Sequence, residues 1–477
     1  MALTKVTSGM VNPDPSDASN LSSGSVPLAQ LGNVDTTGLE DDIALLAFKT
    51  QANGSLAKYG LADQVVDSFE DTSGIDLSGS TNEIRNTGNY IIGGTAGSVT
   101  TDKLTSGTSW TVPAGVYNGE VLIVAGGGGG GTGGGGGAGG VVHDTNHILT
   151  AGGSVTYAIG AAGAGGTYTS NTGINGGNTT FSSLTAVGGG GGGCRGMSAP
   201  DNEGQDGGCG GGADYAGVRG GLSTQQTAGT ASGGTITAYG TNGGYAVSGD
   251  PYLSGGGGGA TEGGQKAQWP THAGNGGRGL YTDIGLTDAT NNYGWLAAGG
   301  AGSRHHGFGG QVGQAGQNGG GSAGDATGGN AVAASYGSGG GGADSQASST
   351  GGTGTAGVVF IKYTPITEAN LTMVSTSTEA VSAVTKGDIV MTYSDGVGTT
   401  TLNTDLTAEI SADDGSTWTS VTLVSQGTSA GHTIVTASDV AITSTISSPA
   451  DMRYRIKTLN QAAGKQTRIQ AVSLGWS

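Results

Sequence analysis

Unbroken runs of glycine constrain this chain more than any other feature. They fill 126–131, 133–137, 188–193, 255–259 and 339–342, with shorter blocks at 207–208 and 210–212. Glycine loses more backbone freedom on folding than any other residue. A glycine tract is therefore ordinarily a flexible linker. Three features favour order here. The stretch is too long for a linker, and its blocks recur as discrete units. It is also bracketed by Val121-Leu122-Ile123-Val124 and Val358-Val359-Phe360-Ile361, apolar runs expected of buried strands. Polyglycine's ordered form is an extended helix with three residues per turn and no internal hydrogen bonds. Packed side by side, such helices satisfy one another's N–H and C=O groups, with weak Cα–H···O contacts in addition. An interior helix touched on every face has no room for a Cβ. Collagen is excluded, because it needs glycine only at every third position and this chain has unbroken runs and only 9 prolines.

The flanks read as strands. Val155, Tyr157 and Ile159 alternate as a half-buried strand should. With 110–112, 121–124, 184–187 and 358–363 they predict a small β-sandwich framing the glycine lattice. After Tyr363 the sequence becomes poor in glycine and rich in Thr and Val. Met452, Tyr454 and Ile456 alternate with Arg453, Arg455 and Lys457, the pattern of a strand with one wet face. Asp413-Asp414-Gly415 between two strand-like runs is a hairpin signal. Several such strands predict a C-terminal antiparallel β-sandwich. Near the N-terminus, Thr37-Gly38-Leu39-Glu40 reads as a capping box. Leu39, Ile43 and Leu46 follow at helical spacing, and Asn53-Gly54 is a fitting stop. A second, weaker helix is expected over 56–69 with Val65, Val66 and Phe69 inward, then a polar connection over 71–89 and a strand at Tyr90-Ile91-Ile92. The predicted fold class is thus mainly β, with a short helical segment, stacked polyglycine helices and a terminal sandwich. The expected divisions are 1–38, a helical and connecting region 39–89, a glycine-rich domain 90–363, and a sandwich 364–477.

The succession Ser109-Trp110-Thr111-Val112-Pro113-Ala114-Gly115-Val116, then 120–124, then 126–131 resembles the glycine-rich domain of phage tail proteins. Residues 155–163, 184–193 and 357–363 fit the same pattern, and Met1-Ala2-Leu3-Thr4-Lys5 is similar to the start of many tail-fibre proteins. The region around Ile410 to Leu423 and the ending Met452 to Trp476 resemble sandwich domains of phage fibres. The resemblance implies a receptor-binding adhesin: an N-terminal virion-attachment region and stacked polyglycine helices whose end loops touch a host receptor. That receptor would be a surface polysaccharide or an outer-membrane protein. It also implies other virion tail proteins as partners, a homotrimer, and synthesis in the host cytoplasm. Glycine-rich domains of some animal receptors share the strand–glycine pattern, so fold alone does not fix function.

Under this reading the recognition residues lie in loops between glycine blocks. Tyr239, Tyr245, Tyr252 and Leu253 form one set, and Trp269, His272 and Arg278 another. The third contains Tyr281, Tyr293, Trp295, Arg304, His305, His306 and Phe308. Tyr and Trp give rigid amphipathic contact area suited to recognition and to stacking on sugar rings. The plainer expectation is that some of them pack over the glycine layer. The net charge of −18 leaves no basic footprint for nucleic acid. No signal-peptide core precedes the chain's first polar region. The uncharged stretch 121–142 is too glycine-rich to insert in a membrane. Cys194 and Cys209 are the only cysteines, and a cytosolic origin favours free thiols. Gly320-Gly321-Ser322-Ala323-Gly324 and Gly427-Thr428-Ser429-Ala430-Gly431 match a nucleophile elbow, but neither has the strand-then-helix context it requires. His143 and His147 have helical metal spacing without a helical pattern, and adjacent His305-His306 side chains would point apart. No enzyme activity, metal or cofactor is expected. The alternatives are an enzymatic tail spike that shortens surface polysaccharide, and a structural spacer.

Overall fold

The computed structural model describes residues 58–61, 64–86, 90–168, 172–195, 199–214, 219–225, 233–247, 249–284, 292, 294–305, 310–317, 319–324, 327–331, 335–344, 348–429 and 431–477. Residues 1–57, including the expected attachment region and the helix over 39–53, lie outside them. The described chain is mainly β, built of antiparallel sheets with almost no helix. It forms two compact units: residues 94–369, and residues up to Gly93 together with 370–477.

In the unit 94–369, one sheet carries β5 (Thr100–Leu104), β7 (Asn118–Val124), β8 (Val141–Ile148), β12 (Ile236–Tyr239) and β15 (Val358–Tyr363), in the order β12-β8-β7-β15-β5. A second carries β6 (Ser109–Thr111), β9 (Ser154–Ala158), β10 (Thr179–Phe181) and β11 (Leu184–Ala186). Side chains from both meet in one core: Val121, Ile123, Val359 and Ile361 pack with Trp110, Tyr157, Phe181 and Leu184. The next residues along the central strands, Leu122, Val124, Val358 and Phe360, turn to the opposite face and pack with Ala138, Ala260, Leu296 and Ala297. Strands β7 and β15 are therefore covered on both faces. That is why their sequences are continuous apolar runs rather than alternating ones. His143 and His147 both lie on β8, which removes their helical spacing; His143 bonds Glu120 and His147 bonds Asp144.

The glycine segments continue these strands, and their bonding repeats every three residues. Successive N–H groups of Gly126, Gly127 and Gly128 donate to the carbonyls of Gly177, Thr355 and Gly137. Those of Gly129, Gly130 and Gly131 then return to the same three neighbouring segments at Ile174, Gly352 and Gly134. Residues 255–260 cycle likewise, Gly255 and Gly258 donating to Ala213 and Gly210, and Gly257 and Ala260 to Gly300 and Ala297. A Cβ on Gly127 would sit 2.1 Å from the Ser338 carbonyl oxygen, and one on Gly130 2.0 Å from that of Gly341. Backbone is thus packed on backbone, with each donor bonded in a neighbour rather than within its own segment. In the segment 161–166, which reaches the surface, the buried positions are glycine. Gly163 and Gly166 are buried, while Ala161, Ala162 and Ala164 face outward.

The second unit joins early and late segments. Strands β1 (Lys58–Leu61), β2 (Gln64–Asp67), β19 (Lys386–Val397), β22 (Val424–Ser429), β23 (His432–Ala441) and β25 (Gln466–Trp476) run in the order β1-β2-β25-β19-β23-β22. β3 (Glu83–Asn86) and β4 (Tyr90–Ala96) attach through β25. Another sheet holds β17 (Leu371–Val374), β20 (Leu406–Asp413), β21 (Thr419–Val421) and β24 (Ile446–Thr458). Both contribute to one core that includes Val65, Phe69, Met391, Ile410, Tyr454, Ile456 and Leu474. Met452, Tyr454 and Ile456 are buried on β24 and alternate with half-buried basic residues. The Asp413-Asp414-Gly415 turn joins β20 to β21, with Asp414 and Gly415 both at positive φ.

The helix expected over 56–69 is corrected by this arrangement. Its described residues form the hairpin β1–β2, and Val65 and Val66 pair with Leu474 and Ser473 of β25. Two β-branched residues beside an open strand edge outweigh a weak helical period. The segment 71–89 is likewise more than a polar connection. It buries Ile75, forms β3, and pairs Asp76 with Arg453 at 2.6 Å.

Candidate functional site

The bonding of the glycine segments gives the lattice two distinct ends. At one, Ala138, Ala260 and Ala297 pack on the sheet through Val124 and Val358. At the other, the turn at Thr132 and Gly133 meets Ser303, whose carbonyl in turn accepts from Ser254. Loops leaving 254 and 303 therefore start at the end opposite to those leaving 260 and 297.

The loops at the turn end are tied to one another. Leu253 is buried against Ala267 and Ala273 and bridges Val247 and Arg304. The Tyr252 and His305 rings meet at a tilt of 44° with centroids 5.9 Å apart, their backbones are joined by a 3.1 Å hydrogen bond, and the Arg195 guanidinium lies 4.9 Å from the Tyr252 ring. Trp269 is 57% exposed, yet its indole N–H donates to the Asp250 carbonyl at 3.1 Å, which fixes the ring. Tyr245 is also exposed, and its carbonyl accepts from Ala267 two residues before Trp269. His272 is half-buried, with its Nδ1 3.0 Å from the Thr271 hydroxyl.

Not every expected residue belongs to this cluster. Tyr281 and Trp295 pair across the short hairpin β13 (Leu280–Tyr281) and β14 (Trp295–Leu296), with rings 5.5 Å apart. Leu280, Ile284 and Leu296 anchor that hairpin at the sheet end. Tyr239 lies on β12 opposite Val141 and packs against the core. Tyr293, His306 and Phe308 lie outside the described residues.

A second surface includes His272 and Arg278, which the sequence placed among the recognition loops, but its other polar residues were missed. Three adjacent segments present polar side chains at every third residue: Glu262, Gln265 and Gln268; His272, Asn275 and Arg278; Gln311, Gln314 and Gln317. Backbone bonds hold them in register. Gln268 donates to His272 and His272 bridges Gln311; Gln265 donates to Asn275, and Gly276 to Gln314. The Asn275 side chain locks the middle row, accepting from the Gln314 N–H at 2.7 Å and donating to Gln265 Oε1 at 3.1 Å. Asn175 and Asn242 cap Gly191 and Ser223 in the same way. The recurring Asn-Gly-Gly triplet was the available sequence signal. Two clefts, of about 620 and 360 Å³, lie between the rows and share Asn275 and Gln314 as a common wall.

The cysteines are separate, buried and unbridged. Cys194 Sγ accepts from the Thr132 N–H at 3.1 Å, while complete burial pushes the Cys209 thiol up to about 12. Ser429 ends β22 opposite His432 of β23, so the elbow-like motif there sits in a strand hairpin.

A search among curated proteins finds no match to the chain. The glycine-rich domain family matches residues 100–364, from the start of β5 to the end of β15, and the chain therefore belongs to that family.

Proposed function

We propose that this chain is a phage tail-fibre adhesin that attaches a virion to a host-cell surface through the loops at the turn end of its glycine lattice. In this reading the segments are polyglycine II helices, consistent with their three-residue bonding cycle. The early and late strands form a β-sandwich of their own. Further copies of the chain, as a homotrimer, and other tail proteins would complete the fibre. The observation that carries the proposal is the exposed Trp269, whose indole bonds the Asp250 carbonyl two residues before Tyr252, together with the Arg195–Tyr252–His305 cluster, held on a backbone-bonded scaffold. Fixed aromatic faces lose little freedom on binding, which is what a recognition surface requires. The test is saturable binding of the labelled full chain to a panel of bacterial cells. A Tyr252→Ala/Trp269→Ala variant should lose that binding while its thermal unfolding is unchanged. Undiminished binding by this variant would remove the loops from recognition.

A further inference from the structure

The three polar rows run along the side of the lattice; at one end Gln268 and His272 flank Trp269, whose own side chain lines neither cleft. We propose that this side is a groove for a neutral polysaccharide, held chiefly by the amides of Gln311, Gln314 and Gln317 and by His272, Asn275 and Arg278. The ligand class follows from the donors. A carboxamide both donates and accepts, which matches the dual character of a sugar hydroxyl. Among the described residues no side chain bonds the amides of Gln311, Gln314 or Gln317, so they are available. A polyanion is disfavoured by the chain's net charge of −18.

The shape is consistent with a polymer. The clefts adjoin at Asn275 and Gln314, so a polymer lying along the rows would pass over both. In a three-residue extended helix the exposed positions recur about every 9 Å. A repeating chain lying along the rows therefore meets the same kind of group at intervals. Gly313 and Gly316, between the glutamines, are buried in the lattice, so the backbone beneath is already fixed. Such a surface is preorganised, and only side-chain rotamers must be ordered when the ligand binds.

The experiment uses the full chain and immobilised dextran, mannan and galactan as neutral probes, with heparin as a polyanion. Wild type should bind at least one neutral polymer saturably and heparin not at all. The Gln311→Ala/Gln314→Ala/Gln317→Ala variant should bind about tenfold more weakly or worse. Trp269→Ala should leave this binding intact, which separates the groove from the loops. Should the triple variant lose structure, Gln314→Glu, which replaces the amide's donor NH2 with an acceptor-only carboxylate oxygen, should still weaken binding several-fold. Absence of binding to all three neutral polymers overturns the proposal. So does unchanged affinity in a folded triple variant, or loss only in Trp269→Ala.

Discussion

Gly129 and Ala164 pack so closely that a Cβ on Gly129 would stand 1.9 Å from the Ala164 carbonyl oxygen. The obstructing atom is backbone, itself part of a bonded segment, so it cannot swing aside. Gly129→Ala should therefore destabilise the glycine unit by about 3 kcal/mol or more, at or above the usual overpacking range. Ala161, three residues before Ala164, faces outward. Ala161→Ser should be neutral within about 0.5 kcal/mol. Thermal unfolding and amide exchange of the two variants make the comparison. Equal stability would mean that the segments are not packed backbone to backbone.

The turn-end loops lead to a prediction about the indole bond of Trp269. Trp269→Phe keeps an aromatic ring but loses the donor to Asp250. Under the proposed attachment, this variant should bind host cells more weakly than wild type, with a loss below that of Trp269→Ala. Truncating a buried interface aromatic typically costs about 2 kcal/mol or more. Cell-binding isotherms of the three proteins rank them.

The thiols give a direct test of burial. Cys209 donates toward the Gly259 carbonyl at 3.2 Å and is fully enclosed. With its thiol pushed up to about 12, almost none is thiolate at pH 8. Neither cysteine should react with a thiol reagent in the native chain over minutes, and both should titrate in denaturant. Two unreactive sulfurs in denaturant would instead mean a disulfide.

Much of this architecture is legible in the sequence, and the exceptions have physical causes. Runs such as Val121 to Val124 announce a strand buried on both faces because every residue must be apolar there. Glycine runs announce backbone-on-backbone contact because only glycine permits it. Val65 and Val66 are different. Their strand exists only because β25, some four hundred residues later, offers an edge, and no local pattern encodes that. Tyr239 and Trp269 are equally aromatic in sequence, yet one covers a core and the other faces solvent. Their difference is set by which end of the lattice each loop leaves. The glutamines of 311–317 were readable as a three-residue repeat, Gln-x-Gly, which matches the three-residue cycle of the backbone bonding.

Acid should unfold the strand-rich unit in steps set by its paired carboxylates. Asp76 is lowered to about 2 by the Ser78 hydroxyl and by Arg453. Asp405 is lowered well below the ordinary range by Lys465, whose Nζ lies 2.7 Å away, and by Asn460. Both folded-state values lie below the unfolded value of about 3.9. Their stabilisation is therefore fully present above about pH 4 and is lost as pH falls through the folded values. Asp405 is the more buried of the two and carries the larger share. Asp405→Asn should lower stability at neutral pH and flatten the decline below pH 4, whereas Asp439→Asn, at an exposed ion pair with Lys386, should change neither. Denaturant melts at a series of pH values, read by amide exchange within 370–477, distinguish the two. A decline of unchanged slope in Asp405→Asn would mean that other carboxylates govern acid unfolding.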